Sequence, residues 1–203
     1  MHKIKYFFQQ SWLLIVSSFF FGLLIAAADA AWHGKILQNE EDKFNNLARQ
    51  MLPDANSFET ALDNVIINTG KGSQIVTSVK KAFSSDGTCI GWAFKCEGSG
   101  FADKIKLVLA VDASFERLKG YGVLSSNETP GFGDQIKLPY YRDQFINAPT
   151  QELILSKTGD PKKIDSEIVA ISGATISSQA VVNIINTFLP QVKKQVQAKG
   201  LIQ

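Results

Sequence analysis

From Phe7 to Ala28 the chain carries no charged side chain. Trp12-Leu13-Leu14-Ile15-Val16 and Phe19-Phe20-Phe21-Gly22-Leu23-Leu24-Ile25 make this run strongly apolar. Twenty residues of helix cover about 30 Å, the hydrocarbon thickness of a bilayer. Trp12 and Trp32 bracket the run, as interfacial tryptophans do. Lys3 and Lys5 precede it, while Glu40, Glu41 and Asp42 follow. The positive-inside rule therefore assigns 1–10 to a short cytoplasmic N-terminus, 11–32 to a transmembrane anchor and 33–203 to an exported body. Ala28-Asp29-Ala30 resembles a signal-peptide cleavage site, but the apolar run exceeds a usual h-region, which favours a retained anchor. On either reading the body leaves the cytoplasm, which for an anchored protein predicts a domain outside the inner membrane, on the periplasmic side.

The body's composition excludes several chemistries. Of 21 basic and 19 acidic residues, Lys3, Lys5 and Asp29 lie within 1–31, leaving 19 against 18. So balanced a body offers no electrostatic footprint for nucleic acid. The two histidines are His2 and His33, so the region beyond residue 33 lacks imidazole. That argues against a Ser-His-Asp hydrolase, a His-ligated zinc and a His-ligated haem. The two cysteines, Cys89 and Cys96, are too few for an ordinary iron–sulfur cluster. Redox work here would need an organic cofactor. The cysteines fall in one expected strand, roughly 23 Å apart and on opposite faces, so a disulfide would require a bulge or turn near Gly91.

The exported part reads as α+β. Phe44, Leu47, Met51 and Leu52 predict a helix over Glu40–Leu52, ended by Pro53. Phe58–Ile67 fits a short helix or a strand. Gly70-Lys71-Gly72-Ser73 reads as a turn. Gln74–Phe83, Thr88–Glu97, Lys104–Asp112 and Arg117–Leu124 read as successive strands joined by glycine-containing turns. Ile105, Leu107, Leu109 and Val111 alternate, so Lys104–Asp112 is expected to be half buried. Short adjacent strands imply an antiparallel sheet with flanking helices rather than βαβ units. Tyr140–Phe145 suggests a short helix and Glu152–Ser156 a strand. Val181, Ile184, Ile185 and Phe188 predict a helix near Ser177–Leu189, followed by Pro190 and a polar helix to Gly200.

Two short stretches carry chemistry. Ser172-Gly173-Ala174-Thr175 places small residues and a hydroxyl just before that helix. Unpaired N–H groups and the positive dipole end make a helix start a site for phosphate. The same residues also suit an ordinary Ser/Thr N-cap. Asn127-Glu128-Thr129-Pro130-Gly131-Phe132-Gly133 follows a strand, with Pro130 and Gly131 at the second and third places of a type II turn. It could be a plain hairpin connection. It could also present Glu128 and Thr129 to a heterocycle's edge, with Phe132 or Pro130 in apolar contact. Gly131-Phe132-Gly133 and Gly98-Ser99-Gly100 both lack the third glycine and the strand–helix setting of a dinucleotide fingerprint.

Gln10-Ser11-Trp12-Leu13 at the anchor, Gly100–Ile105, Glu128–Gly133 and Ser172–Ser178 occur together and in order. This combination resembles the FMN-binding domain family. It is similar to the G subunits of Rnf-type ion-translocating electron-transport complexes and to the C subunit of the sodium-pumping NADH:quinone reductase. The resemblance implies an antiparallel α+β fold carrying FMN as a covalent cofactor, joined through its phosphate to Thr175 by a separate flavin transferase. It implies a phosphate site shaped by Ser172, Gly173 and Ala174, with Glu128, Thr129 and Gly131 near the flavin. It further implies electron transfer among the membrane subunits of such a complex, rather than a self-contained enzyme. A flavin-free structural subunit and a stand-alone exported carrier are the alternatives. One departure stands out. The family's signature has Asp three residues before the Ser of the S-G-A-T segment, and here that position is Val169.

Overall fold

The computed structural model describes residues 2–70 and 72–202, with side chains described from Gln10 onward. Lys71 of the expected turn, and the side chains of Lys3 and Lys5, lie outside that set. The chain divides at Asp42/Lys43 into two units. Helix α1 (His2–Met51) takes in both the apolar segment and most of the helix expected over Glu40–Leu52. It is long and apolar enough to cross a membrane, and its most apolar window is unburied. Trp12, Leu13, Phe19, Leu24 and Trp32 are among its exposed side chains. Exposure on this scale suits lipid rather than water.

The second unit is an α+β domain. Five strands, β1 (Ser57–Thr69), β2 (Ser73–Phe83), β3 (Cys89–Ser99), β4 (Lys104–Asp112) and β5 (Leu118–Ser126), form a meander in sequence order. Every neighbouring pair is antiparallel. The ambiguous 58–67 segment is therefore strand. Its Val65 and Ile67 face the main core while Ile66 is exposed.

β4 is not half buried as its alternation suggests. Ile105, Leu107, Leu109 and Val111 face the main core with Trp92, Phe94 and the last helix. Val108 and Ala110 on the other face pack with Phe44, Ala48, Met51 and Leu52 from the end of α1. The end of α1 converts a one-sided sheet into a central layer, so Val108 and Ala110 are as buried as their neighbours. At roughly 25 cal/mol per Å² of apolar surface, that second interface is a substantial part of the domain's stability.

Past β5 the chain makes a 3-10 turn (Gly133–Lys137), helix α2 (Pro139–Arg142) and a second 3-10 turn (Asp143–Phe145). Strands β6 (Ile154–Ser156) and β7 (Glu167–Val169) pair in parallel as a small second sheet. The closing helix α3 (Thr175–Ala198) runs straight through Pro190. A proline inside a helix costs about 3 kcal/mol. Leu189, Val192 and Val196 beyond or beside it are all buried, and their burial outweighs that cost.

Cys89 is half buried, Cys96 is fully buried, and both are free thiols. A register shift does occur beside Cys89, where Phe83 pairs with Cys89 while Ala82 pairs with Gly91. It does not bring the two sulfurs together.

Candidate functional site

The two chemically suggestive stretches meet at one cleft of about 520 Å³, lined by Phe101, Thr129, Phe132, Gly133, Gly173, Thr175, Ile176 and Ser177. Ligand sites typically fall between about 300 and 1,000 Å³. A larger cleft, about 640 Å³, runs between the β1–β2 turn and residues Ala180–Thr187 of α3. The Glu97–Lys104 pair at its edge is already matched, at 3.5 Å, and neither suggestive stretch lines it.

Both stretches form the same kind of turn. Phe132 N donates to Thr129 O at 3.2 Å, with Gly131 at φ +77°. Ala174 N donates to Ile171 O at 3.0 Å, with Gly173 at φ +78°. In each, glycine occupies the third place, where a left-handed backbone is required and a Cβ would be strained. The type II turn expected at Pro130-Gly131 is thus present.

Helix α3 starts bare. Its N-cap is Ala174, and no side chain caps it. The ordinary Ser/Thr N-cap is therefore not what the S-G-A-T segment forms. The first-turn amides lack intrahelical partners, and the helix dipole leaves positive potential there.

The three hydroxyls of that first turn differ sharply. Ser178 is fully buried; its Oγ accepts Ile171 N at 3.0 Å and donates to Ala174 O at 2.9 Å. Ser177 is buried and donates its hydroxyl to Glu128 Oε2. Thr175 is half buried, lines the cleft, and has no side-chain hydrogen bond among the described residues. Of these three, Thr175 is the hydroxyl both reachable and uncommitted.

Glu128 lies beneath the cleft, only 4% exposed. Its Oε1 accepts Phe101 N at 2.9 Å and Ala102 N at 3.0 Å, while Oε2 accepts Ser177 Oγ. The sequence left its segment open between a plain hairpin connection and a group near a heterocycle's edge; in the structure the carboxyl is engaged by protein donors. Thr129 is exposed on the cleft wall, Ser172 is exposed at the turn, and Ala174 is buried beneath it. Gly131 is exposed at the corner of its turn.

Sequence reasoning missed Phe101, Ile176, Gly133 and Ser177 as lining residues. Phe101 is 64% exposed, Phe132 57% and Ile176 59%, so the cleft has a bare apolar rim. Three large apolar side chains around the Thr129, Thr175 and Ser177 hydroxyls is a ligand-like arrangement. A clue was present in Phe101, an aromatic in a Gly-rich turn. Exposure there became visible only with the fold.

No lining residue is ionisable. The cleft therefore holds no general acid, general base or metal-binding set, and among the described residues no cluster of metal-ligating side chains occurs. Nearby titrating groups sit outside it. Burial, and secondarily the Asp134 charge, raises the Tyr140 phenol. That phenol donates to Gln135 Oε1 at 2.5 Å, and Gln135 Nε2 donates to Gly131 O at 2.5 Å. Asp103 is held below the usual carboxylate range, first by the Lys104 backbone N–H and then by Asn127.

Comparison with known proteins places the chain in a family. A model of the FMN-binding domain matches residues 100–189, which contain every cleft residue. The G subunit of an ion-translocating oxidoreductase complex from Methanosarcina acetivorans is 31% identical over 161 residues, covering 79% of this chain and 80% of that one. The G subunit of the Na(+)-translocating ferredoxin:NAD(+) oxidoreductase complex from Acetobacterium woodii is 31% identical over 148 residues, covering 70% of each. The crystal structure of NqrC from Shewanella oneidensis has the same fold, with a TM-score of 0.55 at 20% identity over 72% of this chain and 73% of that one. The chain belongs to the FMN-binding domain family. Within it, the chain is similar to the G subunits of ion-translocating oxidoreductase complexes.

Proposed function

We propose that this protein is a membrane-anchored electron-carrying subunit whose FMN is joined through its phosphate to Thr175. The observation that carries the reading is the state of the Thr175 hydroxyl, free and open to the cleft while Ser177 and Ser178 are buried and bonded. The site fits the cofactor. The bare start of α3 suits a phosphate, the turn around Gly173 lets it approach the backbone, and Phe101, Phe132 and Ile176 offer apolar surface for a planar ring. Thr129 is a polar wall group for the flavin's edge, Gly131 and Gly173 supply the positive φ their turns need, and Ser172 and Ala174 flank Gly173 at the phosphate site.

FMN supplies reversible one- and two-electron chemistry when bound. Thr175 is a tether, and with no ionisable lining the chain's own part is to hold and orient. A tether keeps the cofactor in a compartment where free flavin would be diluted. A separate flavin transferase makes the bond: Thr175 Oγ replaces one oxygen substituent on the phosphorus, which leaves with the threonine proton, and the partners are the other membrane subunits of an Rnf-type complex. Helix α1 anchors the domain in the cytoplasmic membrane, with the domain on the exterior side.

Val169 favours a second reading, a flavin-free structural subunit. Its backbone N–H is bonded to Gln144 Oε1 at 2.8 Å and its C=O accepts Gln144 Nε2 at 3.2 Å. The position where the family carries Asp is therefore an apolar side chain on a sealed strand end. A denaturing gel of protein coexpressed with flavin transferase separates the two. The tether reading expects a flavin-fluorescent band that Thr175→Ala abolishes; a dark band in both overturns it.

A further inference from the structure

The carboxylate of Glu128 joins two walls that are far apart in sequence. One oxygen holds the Phe101 and Ala102 amides of the β3–β4 turn, and the other holds Ser177 on the first turn of α3. The surroundings are shaped to admit it. A Cβ on Gly133 would lie 2.7 Å from Glu128 Oε2 and 2.5 Å from Ser177 Oγ. A Cβ on Gly100 would run into Glu128 Oε1 and lie 2.6 Å from Asp103 O. Two glycines thus clear the space the carboxylate fills, and that carboxylate carries both the wall bearing Phe101 and the wall bearing Thr175.

We infer that Glu128 is a positioning residue: it sets the spacing between the aromatic rim and Thr175, and it commits Ser177 so that Thr175 remains the acceptor hydroxyl. It acts through Phe101, Ala102 and Ser177 and does not touch the flavin. The functional consequence rests on the tether reading above; the coupling of the two walls does not.

The test uses the full chain in detergent micelles, with and without flavin transferase coexpression. Amide exchange reads the clamp directly. Hydrogen bonds to a charged acceptor are strong enough that Glu128→Ala should speed exchange at Phe101 and Ala102 by about tenfold or more. Ser177→Ala should leave those two amides protected, because it cuts only the other arm. Glu128→Gln should also protect them, since the amide oxygen replaces Oε1, but its NH2 would face Ser177 Oγ and turn that bond around. On flavin-loaded protein, Glu128→Gln and Ser177→Ala should both change the flavin's visible circular dichroism, and Ser177→Ala should also lower the melting temperature, because it takes a donor from the buried Glu128 carboxyl. Wild-type exchange rates at Phe101 and Ala102 in Glu128→Ala would overturn the clamp. So would equal acceleration across all of β3 and β4, the mark of general loosening. An unchanged flavin spectrum in both conservative variants would overturn the positioning role. Wild-type protein that carries no flavin defeats the tether reading alone, and the exchange arm still decides the clamp.

Discussion

Ser178 staples the S-G-A-T turn to its own helix: its Oγ accepts the Ile171 amide at 3.0 Å and donates to the Ala174 carbonyl at 2.9 Å. Tyr141 Oη adds a third tie, donating to Ser178 O at 3.0 Å. All three groups are buried. The turn that presents Thr175 is therefore held from behind, with nothing needed from the cleft side.

Ser178→Ala leaves the Ile171 amide buried without its acceptor. A buried donor left unpaired costs about 1–3 kcal/mol. Urea unfolding should show a loss in that range. Ser172→Ala, at an exposed position of the same turn, should stay within about 0.5 kcal/mol of wild type.

Gly133→Ala and Gly131→Ala should differ in kind. A Cβ on Gly133 meets Ser177 Oγ and Glu128 Oε2 at 2.5 and 2.7 Å, so the substitution jams the link between the walls. Overpacking of this sort costs about 1–3 kcal/mol, and here it should also reduce flavin loading. A Cβ on Gly131 meets nothing within 4 Å but sits at φ +77°. Its cost is backbone strain alone, about 1–2 kcal/mol. Melting temperatures and flavin content of the two variants, measured side by side, check the distinction.

Phe44 and Phe101 should separate stability from function. Phe44 is buried between the end of α1 and the sheet, so Phe44→Ala should cost about 3–5 kcal/mol. Phe101 is 64% exposed, so Phe101→Ala should change stability by no more than about 0.5 kcal/mol. The same Phe101→Ala variant should shift the absorbance or fluorescence of bound flavin. Denaturant titration and flavin spectra on the same samples read both outcomes.

Alkaline pH should unfold the domain through three buried groups. Burial raises the Cys96 thiol well above its ordinary 9.0 and the Tyr121 and Tyr141 phenols above their ordinary 10.0. Each folded-state value exceeds the unfolded one, so the unfolded chain releases protons first as pH rises. Their contribution is fully present below about pH 9 and declines above it, the thiol first and the phenols past 10. Stability against pH should bend downward from that point. Cys96→Ala should remove the earliest part of the bend, and Tyr141→Phe should weaken the later part while losing the bond to Ser178 O.

The strands from Gln74 to Leu124 were legible because alternation and glycine turns are local signals. So was the turn at Pro130-Gly131, whose geometry two residue types dictate. The burial of Val108 and Ala110 was not legible, because it depends on α1 packing from far away in sequence. β7 was missed because three residues carry no period, and its pairing with β6 is long-range. Pro190 misled for the opposite reason: the local rule is strong, but Val192 and Val196 prolong the buried face beyond it. At the site, the place of Thr175 just ahead of an apolar helix could be read from its motif, and the fold sets it on the cleft. Ser177 and Ser178 carry the same hydroxyl chemistry in sequence, and only the fold shows each committed elsewhere. Phe101 lies in the separate β3–β4 turn, and only the fold brings it to the cleft.

The most direct test is intact-mass spectrometry of the full chain matured with flavin transferase, followed by peptide mapping. The account expects one added flavin mononucleotide, less one water, on the peptide containing Thr175, and none in Thr175→Ala. An unmodified mass in fully matured wild-type protein, or a flavin mapped to Ser172, Ser177 or Ser178, would contradict it.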